Sequence, residues 1–130
     1  MFKDAEILIA DDNSLYSLHL KTKLEEKGYS RVEITNEAKG VLFCLDGKKY
    51  HLVICPHLLP EMTAEELIMR VRFGMSKDQP CFLILSDDWN TEPTLFNHVS
   101  SYSICPIEID SFDKEIRNLL LGKFAGVETF

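Results

Sequence analysis

Residues 51–60 read His51-Leu52-Val53-Ile54-Cys55-Pro56-His57-Leu58-Leu59-Pro60. The stretch 52–55 is an unbroken apolar run that ends at a proline, and a second proline follows at Pro60. A run this short, with no polar residue alternating through it, reads as a strand buried on both faces and followed by a loop. Similar runs lie at 7–10, 32–34, 82–85 and 102–105. Stretches of helical period separate the five, which predicts a parallel sheet covered by helices on both faces.

The intervening stretches carry helix signals. Asn13 or Ser14 can cap a first helix with Leu15, Leu18 and Leu24 among its apolar positions, and Gly28 can end it. Asn36 is expected to open a second helix carrying Val41, Leu42 and Leu45, stopped by Gly47. A third is expected over 64–73, with Leu67, Ile68 and Val71 facing inward. A short fourth begins at Pro93, whose missing N–H costs nothing in a first turn. The last, over 111–123, carries Phe112, Ile116, Leu119 and Leu120 at helical spacing. One domain spanning 1–130 is expected, with an ordered core over 5–122 and a tail at 123–130.

With 130 residues and 45% hydrophobic content, one core suffices. A chain of this size buries roughly two-thirds of its unfolded surface. No run approaches the length needed to span a membrane, and Met1-Phe2-Lys3-Asp4 leads straight into a strand without a secretory signal, so the sequence reads as cytoplasmic and N-terminal in its protein. A net charge of −7 with scattered basic residues argues against nucleic acid and anionic membrane as partners. Cys44, Cys55, Cys81 and Cys105 form no CxxC pair and no zinc-site spacing with the histidines, so they suggest neither a zinc site nor a disulfide framework and read as small core hydrophobes.

Segment 51–60 resembles the third strand and following loop of response-regulator receiver domains, the phosphorelay modules of two-component signalling. In that family the strand ends in a phosphoacceptor aspartate, and a proline follows four residues later. Pro60 sets the count, which places Pro56 at the acceptor position. A proline ring has no nucleophilic oxygen to phosphorylate.

The resemblance covers nearly the whole chain. Ile7-Leu8-Ile9-Ala10-Asp11-Asp12-Asn13 is similar to the family's first strand and acidic pair, which helps hold Mg²⁺ together with a third carboxylate. That third carboxylate is missing here. Phe82-Leu83-Ile84-Leu85-Ser86 ends where the family places a hydroxyl that bonds the phosphoryl group, and Ser86 keeps it. Ser101-Tyr102-Ser103-Ile104-Cys105-Pro106 resembles the end of the fifth strand. Tyr102 matches the aromatic switch position, but Cys105 replaces the lysine that would pair with an aspartyl phosphate. Thr63-Ala64 replace the usual Asp-Gly. The fold implied is α/β, a three-layer flavodoxin-like (βα)5 domain with a five-stranded parallel sheet in order 2-1-3-4-5.

The resemblance implies a degenerate receiver, a pseudo-receiver without aspartyl phosphorylation and without enzymatic activity, that acts in docking or dimerisation. Its expected partners are another signalling protein, an effector domain or a second copy. The expected face surrounds the fourth helix, fifth strand and fifth helix, with Trp89, Phe96, Tyr102 and Ile109 as anchors. No cofactor is expected, and Asp11 and Asp12 offer at most a weak Mg²⁺ site. Mutual repulsion of that pair is expected to raise one pKa. Two rival readings remain. A ligand- or Mg²⁺-responsive switch would use Asp11, Asp12 and Ser86. A cysteine enzyme or redox sensor would use Cys105 with a histidine base, yet His51, His57 and His98 show no dyad spacing, and Asp11, Asp12 and Asp87 would raise the thiol pKa.

Overall fold

A computed structural model of the chain describes residues 4–56, 58–74, 80–86, 101–104, 116–117 and 120. Along the chain these form β1 (Glu6–Ala10), α1 (Ser14–Glu26), β2 (Arg31–Thr35), α2 (Ala38–Gly47), β3 (Leu52–Pro56), α3 (Ala64–Gly74), β4 (Cys81–Ser86) and β5 (Ser101–Ile104). Ile116, Arg117 and Leu120 are helical. The strands pair in parallel in the order β2-β1-β3-β4-β5. The expected helix beginning at Pro93, the anchors Trp89, Phe96 and Ile109, and the tail at 123–130 lie outside the described residues.

Side-chain alternation in the central strands builds a core on each face of the sheet. Ile7 and Ile9 of β1, Leu52 and Ile54 of β3, and Cys81 and Leu83 of β4 join one cluster, which Leu20 and Leu24 of α1 cover with Ile116 and Leu120. Leu8 and Ala10, Val53 and Cys55, and Phe82 and Ile84 point to the other cluster, covered by Ala38, Val41 and Leu45 of α2 and by Leu67, Ile68 and Val71 of α3. The result is three layers, as the apolar runs imply. At the sheet edge, β2 instead leaves Arg31 and Glu33 exposed while burying Val32, which suits a strand with only one neighbour.

Local chemistry sets the helix ends. The Asn13 side chain accepts the Tyr16 N–H at 3.0 Å and caps α1. Beyond the cap residue Lys27, Gly28 adopts φ 103°, the left-handed region open to glycine. The Tyr29 N–H then bonds the Leu24 carbonyl at 3.1 Å and the Gly28 N–H bonds that of Glu25 at 3.0 Å, a Schellman ending in which Tyr29 and Leu24 both enter the core. The buried stripe of α1 is Ser17, Leu20 and Leu24, so Leu15 and Leu18 stand 83% and 57% exposed.

The start of α2 differs from expectation. Glu37, not Asn36, is the N-cap, and its side chain makes no capping bond. The Ala38 and Lys39 N–H groups donate instead to the two carboxylate oxygens of Glu61, at 3.3 and 3.0 Å. An acidic side chain brought in from a distant loop thus satisfies donors that every helix start leaves free. The approach of α2 to the end of β2 is also close, since a Cβ on Gly40 would lie 1.9 Å from Thr35 Oγ1 and 3.1 Å from Thr35 Cβ.

That contact yields a stability prediction. Ala has the better helix propensity by about 1 kcal/mol, yet overpacking costs roughly 1–3 kcal/mol, so Gly40→Ala should lower stability in urea unfolding. The penalty should shrink in a Thr35→Ala background, because the clashing oxygen is gone.

Candidate functional site

The carboxyl ends of β1, β3 and β4 bring three predicted site residues to one end of the sheet. The pairing of β1 with β3 runs Ile7 with Leu52, Leu8 with Val53 and Ile9 with Ile54. Two residues beyond that last pair stand Asp11 and Pro56. Pro56 is the half-buried last residue of β3 and pairs across with Leu85, next to which Ser86 ends β4. Tyr102 lies within β5 opposite Ile84, and Ser86 pairs with Ile104. Cys105, His57, Asp87 and His98 lie outside the described residues.

Asp11 is held by its own neighbourhood. Its N–H donates to the Thr35 carbonyl at 3.1 Å, tying it to the end of β2, and its Oδ1 accepts the Asn13 N–H at 3.0 Å. Only 9% of the residue is exposed, and burial is the largest cause raising its pKa above the ordinary carboxylate value. The Asn13 amide opposes the shift, while the neighbouring Asp12 adds to it through a side-chain hydrogen bond and like-charge repulsion. Asp12 itself is exposed. The expected electrostatic strain of the pair therefore falls on Asp11, with desolvation ahead of repulsion.

Two carboxylates make a thin donor set for Mg²⁺. Such ions ordinarily complete their shell with water and a phosphoryl group, and Pro56 offers neither a third carboxylate nor a phosphoryl acceptor. Among the described residues no three His, Cys, Asp or Glu side chains converge. The residues present thus fall short of the acidic set the resemblance describes.

Cys44, Cys55, Cys81 and His51 sit in structural settings. Cys55, beside Pro56, is buried in the core, and its thiol is pushed up to about 12 by desolvation and then by the Asp11 charge. Cys81 is also buried and Cys44 half-buried, and none of the three forms a disulfide among the described residues. His51 precedes β3 at the opposite end of the sheet, where its Nδ1 accepts the Glu6 N–H at 2.9 Å. Its backbone bridges the neighbouring strands, donating to the Glu6 carbonyl at 2.9 Å and accepting the Cys81 N–H at 3.0 Å. As a base for chemistry at the carboxyl ends, His51 is misplaced.

The loop that leaves Pro56 is well tied. Leu58 and Thr63 form an isolated bridge, and the Leu59 N–H bonds the Met62 carbonyl at 3.0 Å. Leu59 packs into the core while Leu58 is 65% exposed. Thr63 Oγ1 accepts the Glu66 N–H at 3.1 Å and caps α3. The spacing Thr63-Ala64-Glu65-Glu66 is a capping-box signature that could have flagged this end from sequence. The role of Glu61 had no such local signal, because its partners lie 22 and 23 positions away.

Comparison with solved structures finds receiver domains. A CheY-like receiver domain from Methylobacillus flagellatus superposes with a TM-score of 0.80 at 19% identity, covering 88% of this chain and 98% of its own. One from Methanospirillum hungatei gives 0.79 at 23% identity, covering 94% and 98%. The Saccharomyces cerevisiae Ssk1 receiver domain, crystallised with the histidine phosphotransfer protein Ypd1, belongs to a structure matched at 0.79 and 16% identity over 92% of this chain and 90% of that one. No family model and no curated protein matches the sequence. At these identities the likeness is one of fold.

Replacing Asp11 tests the electrostatics. Its raised folded pKa means that the folded state holds the proton more tightly than the unfolded state, so ionising Asp11 removes stability as pH rises from the ordinary carboxylate range through the folded value. Asp11→Asn keeps an acceptor for the Asn13 N–H without the charge. It should raise stability in urea at pH 7 by about 1 kcal/mol, with little gain at a pH below the ordinary carboxylate value.

Proposed function

We propose that this chain is a pseudo-receiver, a cytoplasmic module of two-component signalling that is not phosphorylated on aspartate and works by docking a signalling partner. One observation carries the reading: the third strand of a receiver fold ends in Pro56, level with Asp11 and next to the strand that ends in Ser86. Phosphoryl transfer to a receiver needs a carboxylate at that point. A receiver fold without that carboxylate can still serve as a docking module, because binding needs a surface and not a phosphoryl group. No catalytic group is assigned, and the domain is not an enzyme in this reading.

The partner class follows from exposed apolar side chains near the same end. Leu15 and Leu18 project from the first turns of α1, directly after the acidic pair, and Leu58 projects from the loop after Pro56. Exposed leucines that the core has no use for are natural anchors for a partner's apolar face. Ssk1, with a similar fold, is crystallised with a histidine phosphotransfer protein, and a protein of that type is the partner proposed. The switch driven by Mg²⁺ draws less support, since among the described residues no third carboxylate or other metal-ligating side chain joins Asp11 and Asp12.

Intact-mass spectrometry after incubation with acetyl phosphate and Mg²⁺ should show no added phosphoryl group, and the double variant Pro56→Asp, Cys105→Lys should gain one. Phosphorylation of the unaltered chain at an acidic side chain would sink the reading. By calorimetry, Leu15→Asp together with Leu18→Asp should weaken binding to a histidine phosphotransfer protein of the same cell at least ~10-fold while leaving the circular dichroism unchanged.

A further inference from the structure

We propose that Glu61 is an internal latch that joins the loop after β3 to the start of α2 and holds that loop in a single conformation without any bound ligand. The loop begins at the acceptor-equivalent position, and its only described reach to α2 through hydrogen bonds is the bidentate Glu61 contact, 3.3 Å to the Ala38 N–H and 3.0 Å to the Lys39 N–H. The helix has no side-chain cap of its own at Glu37, so the carboxylate takes the place where a helix start attracts an anion. Inside the loop, the Leu59–Met62 bond and the Leu58–Thr63 bridge close a turn of backbone that carries Glu61. Pro60, just before it, fixes one more backbone angle.

The far side of the latch leads back to the site. Gly40 allows α2 to lie against Thr35, and the Thr35 carbonyl receives the Asp11 N–H. Glu61 therefore closes a path of contacts from Asp11 through β2 and α2 to the loop behind Pro56. It acts as a positioning residue: the loop, and Leu58 with it, is set from within the chain. This inference goes beyond docking, and it stands or falls on the contacts whether or not a partner is found.

Lys39 is the charged neighbour acting on Glu61, and Glu37 at the cap of α2 and Glu65 and Glu66 in the first turn of α3 are the other titratable groups at the starts of the two helices that flank it, with Asp46, Cys44, Arg70 and Arg72 farther along them. The Lys39 amide is the foremost cause holding the Glu61 carboxyl below its ordinary range. A depressed folded pKa means that the latch is complete above the ordinary carboxylate value and is lost as pH falls through the folded value.

Amide exchange by NMR tests it on the whole chain. In Glu61→Ala, protection should fall roughly fivefold or more at Ala38 and Lys39 and, together with them, at Leu59. Glu61→Gln should retain part of that protection, and its residue should not weaken on acidification, whereas the unaltered latch should loosen at Ala38, Lys39 and Leu59 in step. Loss confined to Ala38 and Lys39 would reduce Glu61 to a helix cap and overturn the latch. Equal acid sensitivity in the unaltered chain and Glu61→Gln would overturn it too, and this second comparison decides the matter if the alanine variant fails to fold.

Discussion

Everything in this domain follows from three strands, β1, β3 and β4, that are covered on both faces. Their successive side chains enter two separate cores, so neither face can tolerate a polar residue and the strands become continuous apolar runs. Backbone hydrogen bonds along such strands are spent within the sheet. Polar chemistry is thereby displaced to the strand ends, where the chain first meets solvent. Asp11, Pro56 and Ser86 stand together because that constraint ends three neighbouring strands at the same level, and no direct attraction among them is needed.

The same constraint explains how the site end is linked to the helices around it. A strand that stops must hand its chain to a loop, and the first free donors and acceptors beyond it need partners. Asp11 finds Thr35 and Asn13, α3 finds Thr63, and α2 finds Glu61. At the opposite end, the edge strand is bound by charge: Arg31 bonds Glu6 at 3.1 Å, and Lys48 lies 2.7 Å from Glu33 and 3.1 Å from Glu6. Those side chains are partly exposed, so each pair contributes modestly and serves mainly to fix the register of β2.

Legibility in the sequence tracked how local each cause is. Buried strands were readable to within a residue or so, because continuous apolar character is the direct imprint of two-sided burial; the run at 52–55 became Leu52–Pro56 and that at 7–10 became Glu6–Ala10. The two ends of α1 were equally local, a capping Asn13 and a left-handed Gly28. Its buried face was not. Leu15 and Leu18 compete with Ser17, Leu20 and Leu24 for the core, and packing against β1 and β2, invisible in the helix's own pattern, turned the first two outward. The start of α2 was misread at Asn36 for a similar reason, since its cap comes from another part of the chain. At the candidate site, the positions of Asp11, Pro56 and Ser86 were legible because each ends or directly follows an apolar strand, whereas Glu61 and Gly40 matter only through distant neighbours.

The electrostatics around Asp11 bear on what position 56 can hold. Asp11 is already buried and already raised in pKa, in part by Asp12. A third carboxylate at position 56, level with Asp11, would add like charge to a pair that burial has made costly to ionise. Acidic clusters of that density persist where a divalent cation or a fixed ammonium offsets them. Position 105, where the resemblance expects an ammonium, holds a cysteine. Removing the lysine alone would leave three acids uncompensated, and removing the aspartate alone would leave a cation with no phosphate to meet. In the reading proposed above, Pro56 and Cys105 belong together: neither supplies the charge that the resemblance expects at its position, and the two-sided core that carries the fold does not depend on either charge.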